Sequence, residues 1–189
     1  MAYPRFDMSR LGEVPAEAIS GSIEDLVPLA AGAGEAGESI ESLGSALLKA
    51  REQGAAVVFL VAGRVLAAGT SRVLVDLLEH GLITHLALEL DAASVDWQLA
   101  TTGRFQQPLV EASDAQMTEI IFESPGRDEG AGERLGRRLI EEPAPHADIS
   151  VLAQAWRWGI PATVHAASEQ PGVTVPPGTP TDGRELLVL

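Results

Sequence analysis

Glu89, Asp91 and Asp96 crowd together directly after one apolar run of the chain, and His165 closes another. Carboxylates grouped in this way can hold a cation or act as acid and base. At the start of a helix the same charges simply answer the backbone dipole, and that account fits them equally well. His165, at the end of a strand, sits where α/β proteins place their ligands, and a structural role suits it as well. Gly63 and Gly69, with Thr70 behind them, punctuate a turn. They spell neither G-x-G-x-x-G nor a phosphate loop with its lysine, so a tight turn without phosphate is the preferred reading. His80 falls at a helix C-terminus, where the dipole favours a cation, and His85 falls inside a strand as a core histidine. The four histidines do not form a metal set, and there is no G-x-S-x-G or H-E-x-x-H.

The elements that must position these residues are legible from periodicity. Ile40 to Gln53 predicts a helix, with Ile40, Leu43, Leu47 and Ala50 on one face and Gly54 as its stop. Ala55 to Ala62 is a short Val-rich run, predicted as a buried parallel strand. Thr70 or Ser71 can cap the next helix, which runs to His80. Leu82 to Leu90 predicts a second buried strand. Helices follow over Ala92–Thr101, Pro108–Phe122 and Glu129–Glu142, the last with Leu135 and Leu139 facing inward. A further helix, Ile149–Trp158, ends at Gly159, and Pro161 introduces a third strand, Ala162–Ala167. Trp156 and Trp158 point different ways on that helix, one toward core and one toward an interface. Residues 1–39 read as an extended arm and flexible link, with one short turn within Ile23–Leu29, and 40–189 as a single domain. The terminal ELLVL can add a last strand. The expected class is α/β: a three-layer, Rossmann-like parallel sheet with helices on both faces and an extended N-terminal arm.

Bulk composition narrows the function. A net charge of −14 argues against nucleic acid, whose binding begins with phosphate neutralisation by Lys and Arg. It suits cationic ligands such as polyamines, although acidity that merely maintains solubility is the favoured account. With no cysteine, thiol catalysis, disulfides and zinc–thiolate sites are excluded. No run is long enough to span a membrane, and the opening residues lack the pattern of a signal peptide, so a cytoplasmic place is expected. Arginine outnumbers lysine twelve to one, and the single lysine is Lys49. Arginine stays protonated and cannot replace a nucleophilic lysine.

Several segments carry a resemblance: AVVFLVAGRVLAAGTSRVLVDLLEHGLITHLAL, then ASVDWQLATTG, then DISVLAQAWRWGIPATVH, then Asp182-Gly183, with YPRFDMSRL near the start. In order and nearly without gaps, they resemble deoxyhypusine synthase, in particular its bacterial deoxyhypusine-synthase-like branch. The resemblance implies a Rossmann-like fold, NAD, and a homotetramer with active sites at subunit interfaces. It also implies oxidation of spermidine by NAD and capture of the aminobutyl group on a lysine as an imine, the chemistry natural to a desolvated amine.

The chain departs from that pattern where the chemistry is carried. In place of the relatives' Asn-Gly-Ala-Gly-Ala-Ile-His-Asp stands Glu89-Leu90-Asp91-Ala92-Ala93-Ser94-Val95-Asp96, so both glycines and the histidine are replaced and Asp96 alone is kept. Residues with a Cβ in place of those glycines obstruct close approach to a dinucleotide. Ser168–Gly172 and Thr174–Pro177 replace two further family tracts, and the Trp-Gly-Lys segment has no counterpart before Leu189. The expectation is a catalytically degenerate relative serving as an assembly or regulatory subunit, as a homo-oligomer or paired with a full-length relative. The alternative is an NAD- or polyamine-binding module, or a transferase of altered chemistry. A retained pocket would set Gly63, Gly69, Thr70 and Asp96 against the cofactor, and Glu89, Asp91 and His165 against a substrate or cation.

Overall fold

The computed structural model describes residues 18–29, 37–107, 115–122 and 129–165. In chain order they form β1 (Ile19–Ser22), a 3-10 turn (Ile23–Asp25), α1 (Glu38–Glu52), β2 (Val58–Val61), α2 (Gly63–Ala67) and α3 (Ser71–Glu79). Next come β3 (His85–Glu89), α4 (Leu90–Thr102), β4 (Arg104–Gln107), α5 (Ala115–Phe122) and α6 (Ala131–Glu141). A second 3-10 turn (Ala147–Ile149), α7 (Val151–Trp158) and β5 (Ala162–His165) complete the order. The molecule is α/β, with a three-stranded parallel sheet flanked by helices. Its order is β2-β3-β5, with Leu86 opposite Phe59 and Ala162, and Glu89 opposite His165. The last residues of the third expected strand, the ELLVL segment and the first part of the Pro108–Phe122 helix lie outside the described residues.

The strands alternate, and the alternation sets the layers. Side chains on successive strand residues point to opposite faces. Val61, Leu86, Leu88, Ala162 and Val164 face one way and are buried. They meet the core built by α4, by Leu135 and Leu139 of α6 and by Leu152 of α7. On the other face Val58, Leu60, Glu89 and His165 are exposed. The expectation of a fully buried first strand is therefore corrected. β2 is an edge strand, and only one of its faces is covered among the described residues. Its continuous apolar lettering hid this, because periodicity cannot reveal whether a second layer is present. No described helix is long and apolar enough to cross a membrane.

A small antiparallel ribbon was not anticipated. β1 pairs with β4 in register Ile19↔Gln107 through Ser22↔Arg104. Ile23 N–H donates to Gly103 O and Val27 N–H donates to Gly69 O, both at 2.9 Å, and Leu26 enters the core. Residues 19–27, read from sequence as part of an extended arm, are thus fastened to the body.

The first turn of α6 runs against the β5 backbone so closely that a Cβ on Gly132 would overlap the carbonyl oxygen of Ala162. Gly132→Ala must push α6 away from the sheet edge. A loss of about 2 kcal/mol is expected, in the range for overpacking, and urea unfolding of the variant measures it.

Candidate functional site

The carboxyl ends of β2 and β3 are where an α/β sheet would receive a ligand. Here α2 begins two residues after β2 and α4 begins immediately after β3, so both helix starts converge on that point. A Cβ on Gly63 would lie 2.6 Å from the Cβ of Asp91, and the Gln107 side chain reaches in from β4 to donate from Nε2 to Asp91 O at 2.9 Å. Gly63 is therefore a packing glycine, small because α4 presses against it. Gly69 leads the chain into α3 and binds Val27 N–H through its carbonyl. Thr70, expected as a cap, instead donates its hydroxyl to Val65 O at 2.7 Å and makes no side-chain cap to α3. Protein atoms of α4 and β4 thus pack against the turn that follows β2.

Asp96 is not in a cleft. It is buried in the middle of α4 and reaches across to the start of α7, which lies more than fifty residues on in the chain. Ser150 Oγ donates to its Oδ2 at 2.6 Å. Val151 N–H donates to Oδ1 at 2.8 Å, and Leu152 N–H to Oδ2 at 3.2 Å. Ala153 N–H closes the cap on Ser150 Oγ at 3.0 Å. A helix N-terminus leaves its first amides without intrahelical partners, and a carboxylate there satisfies them. Burial pushes the Asp96 carboxyl up to about 6, while the serine hydroxyl and the two amides pull it down. Asp96 therefore faces the start of α7, away from solvent, and not a cofactor. The expected helix Ile149–Trp158 placed Ser150 within the helix, so neither its capping role nor its distant partner was legible.

The described groove lies elsewhere, over the exposed face of the sheet. It has a volume of about 540 Å³ and is floored by Val58, Leu60 and Ala87, with Trp156 and Pro161 among its walls. Three ionisable groups reach it: His85, His165 and Glu133. His85 is half-buried and not enclosed in the core. Its Nδ1 lies 3.0 Å from Thr84 Oγ1, and that threonine also binds Val57 N–H at 2.7 Å. His165 Nε2 lies 2.8 Å from Thr163 Oγ1. Burial, with Glu129 nearby, raises the carboxyl of Glu133 above its ordinary value. Trp156 takes the groove and Trp158 packs against the core, which matches the two directions expected for that pair.

Among the sequence-predicted site residues, the register brings Glu89 and His165 together at the carboxyl edge of the sheet. Asp91 belongs to the packed junction with Gly63, and Asp96 to the α7 cap. Among the described residues, no three His, Asp or Glu side chains gather as a metal site. What this arrangement offers is an apolar surface with a few polar points. Compared with family models, characterised proteins and solved structures, the chain matches none.

Proposed function

We propose that this chain is a catalytically degenerate, deoxyhypusine-synthase-like protein that acts as an assembly subunit, binding another protein surface and not turning over a substrate. The observation that carries this reading is the close packing at the carboxyl end of β2. Gly63, Asp91 and Gln107 occupy the place where a dinucleotide would lie, and the retained aspartate is used to cap α7. The surface left available is apolar, as association requires. In this reading the sheet is the centre of a three-layer Rossmann-like arrangement whose second helical layer comes from a partner, and the protein works in the cytoplasm. Incubation with NAD and spermidine followed by borohydride is expected to trap no adduct. A reduced imine on Lys49, detected by mass spectrometry, would overturn the proposal.

One observation favours a second reading, a polyamine- or NAD-binding module. Glu89 stands beside His165 on the exposed face of a chain with net charge −14. Ligand at 100 times its dissociation constant would stabilise the fold by about 2.7 kcal/mol. Thermal unfolding with NAD, NADH and spermidine in turn decides this, and a flat response to all three removes the second reading.

A further inference from the structure

Among the described residues, two apolar surfaces lack a cover, and they do not meet each other. The first is the stripe along α1. Ile40 and Leu43 on that face are 65% and 56% exposed, and the helix has no buried residue. Fifteen residues with such a stripe are ordinarily held by a neighbour, since isolated helices of this length are marginal in water. Yet α1 packs closely against no other described element. The second surface is the groove face of the sheet, where Val58 is 50% and Leu60 79% exposed. No residue of α1 lines that groove.

We propose that α1 of one copy docks across the sheet face of a second copy, reciprocally, to form a two-fold dimer. This rests on the assembly reading above and names both the surface and the partner. Three features favour a second copy. The joint between α1 and β2 is a folded one: Gln53, Gly54 and Ala55 donate backbone hydrogen bonds to Lys49, Arg51 and Ala50. Docking onto the chain's own sheet would break them, whereas docking onto a neighbour keeps them. Reciprocal exchange also uses both surfaces of both copies and closes, leaving no apolar face to propagate a filament. The charges match as well. Arg51 lies at the C-terminal end of the stripe by helical spacing, and Glu133 is the one carboxylate among the groove's lining residues.

The size is adequate. A helix of this length is about 22 Å long and about 10 Å wide, a footprint of about 220 Å². Two such contacts, each counted on both copies, project to about 900 Å². Accessible area exceeds projection, which brings the pair to the floor of about 1,000 Å² for a biological interface.

Light scattering on the eluting full chain should give about twice the 19.8 kDa of one copy. Leu43→Glu and Leu60→Glu change exposed side chains, so each variant should keep its far-UV circular dichroism and elute as a monomer. Mixed together at raised concentration, the two should regain a weakened dimer, because one of the two contacts then pairs an unaltered helix with an unaltered sheet. A dimer indifferent to both substitutions overturns this docking mode and leaves the assembly reading standing. Loss in both variants without rescue on mixing means like-on-like pairing, and likewise overturns it. A monomeric wild type overturns docking and self-association together. The chain is free of cysteine, so a Leu43→Cys, Leu60→Cys double variant should cross-link to double mass on oxidation. A cross-link at single mass would place α1 on its own sheet and sink the proposal.

Discussion

Alanine at position 96 is expected to lower stability by about 3 kcal/mol at pH 5. The side chain of Asp96 accepts the Val151 and Leu152 N–H groups and the Ser150 hydroxyl. Removing it strands donors in a buried position, at about 1 to 3 kcal/mol each before any rearrangement. It also frees the start of α7, whose Leu152 and Ala155 are core residues. The effect carries a pH signature. The folded carboxyl titrates near 6 against a reference value of 3.8. Between these values the native state holds a proton that the unfolded chain has released. The contribution is complete below the unfolded value and is lost as pH climbs through the folded one. At 1.36 kcal/mol per unit the loss is about 3 kcal/mol. Asp96→Asn cannot titrate, so wild type should lose stability relative to that variant as pH rises from about 4 to about 7. Urea unfolding of both proteins across the window tests this. A wild type that gains on the variant would mean that the three donors outweigh burial.

Arg134→Met is expected to cost about 3 kcal/mol, although methionine keeps much of the volume. The Arg134 guanidinium is buried and donates to three backbone carbonyls. Nε donates to Ile120 O at 3.1 Å, one terminal nitrogen to Glu129 O at 2.6 Å, and the other to Ile121 O at 2.9 Å. Ile120 and Ile121 lie in the last turn of α5, where carbonyls have lost their helical donors and the dipole is negative. The cation therefore satisfies the end of α5 and ties it to α6. Lysine offers one compact charge in place of a fork, so Arg134→Lys should recover only part of the loss. Hydrogen exchange should show the α5 amides opening first in either variant. Unchanged unfolding of Arg134→Met would indicate that the desolvation cost of the buried cation cancels its hydrogen bonds.

Neither role could be read in the chain. Arg134 stands among the arginines and glutamates of a helix that looks like a solvated face, and Asp96 stands in a group of acids that looks like a site. What distinguishes them is the depth at which each is buried and the distant backbone it meets. The converse holds for Leu135 and Leu139. Their helical spacing placed them inward, and both are fully buried. The stop at Gly159, the strand after Pro161 and the helix from Glu38 to Glu52 were legible for the same reason.

Element type and direction follow from contacts within a few residues, namely hydrogen-bond spacing, side-chain period and turn chemistry. For the longer helices and the parallel sheet the amino-acid order was therefore enough, whereas the β1–β4 ribbon and the helix α2, read as a turn at Gly63 and Gly69, were not legible in it. Layering is a long-range property. β1 meets β4 across more than eighty residues, Asp96 meets Ser150 across more than fifty, and the second face of the sheet is exposed because no described element reaches it. Such pairings depend on loop closure and competition for burial, which leave no local mark. Asp96, which looked like chemistry, came to hold a helix, and the apolar strand that looked like core came to floor a groove.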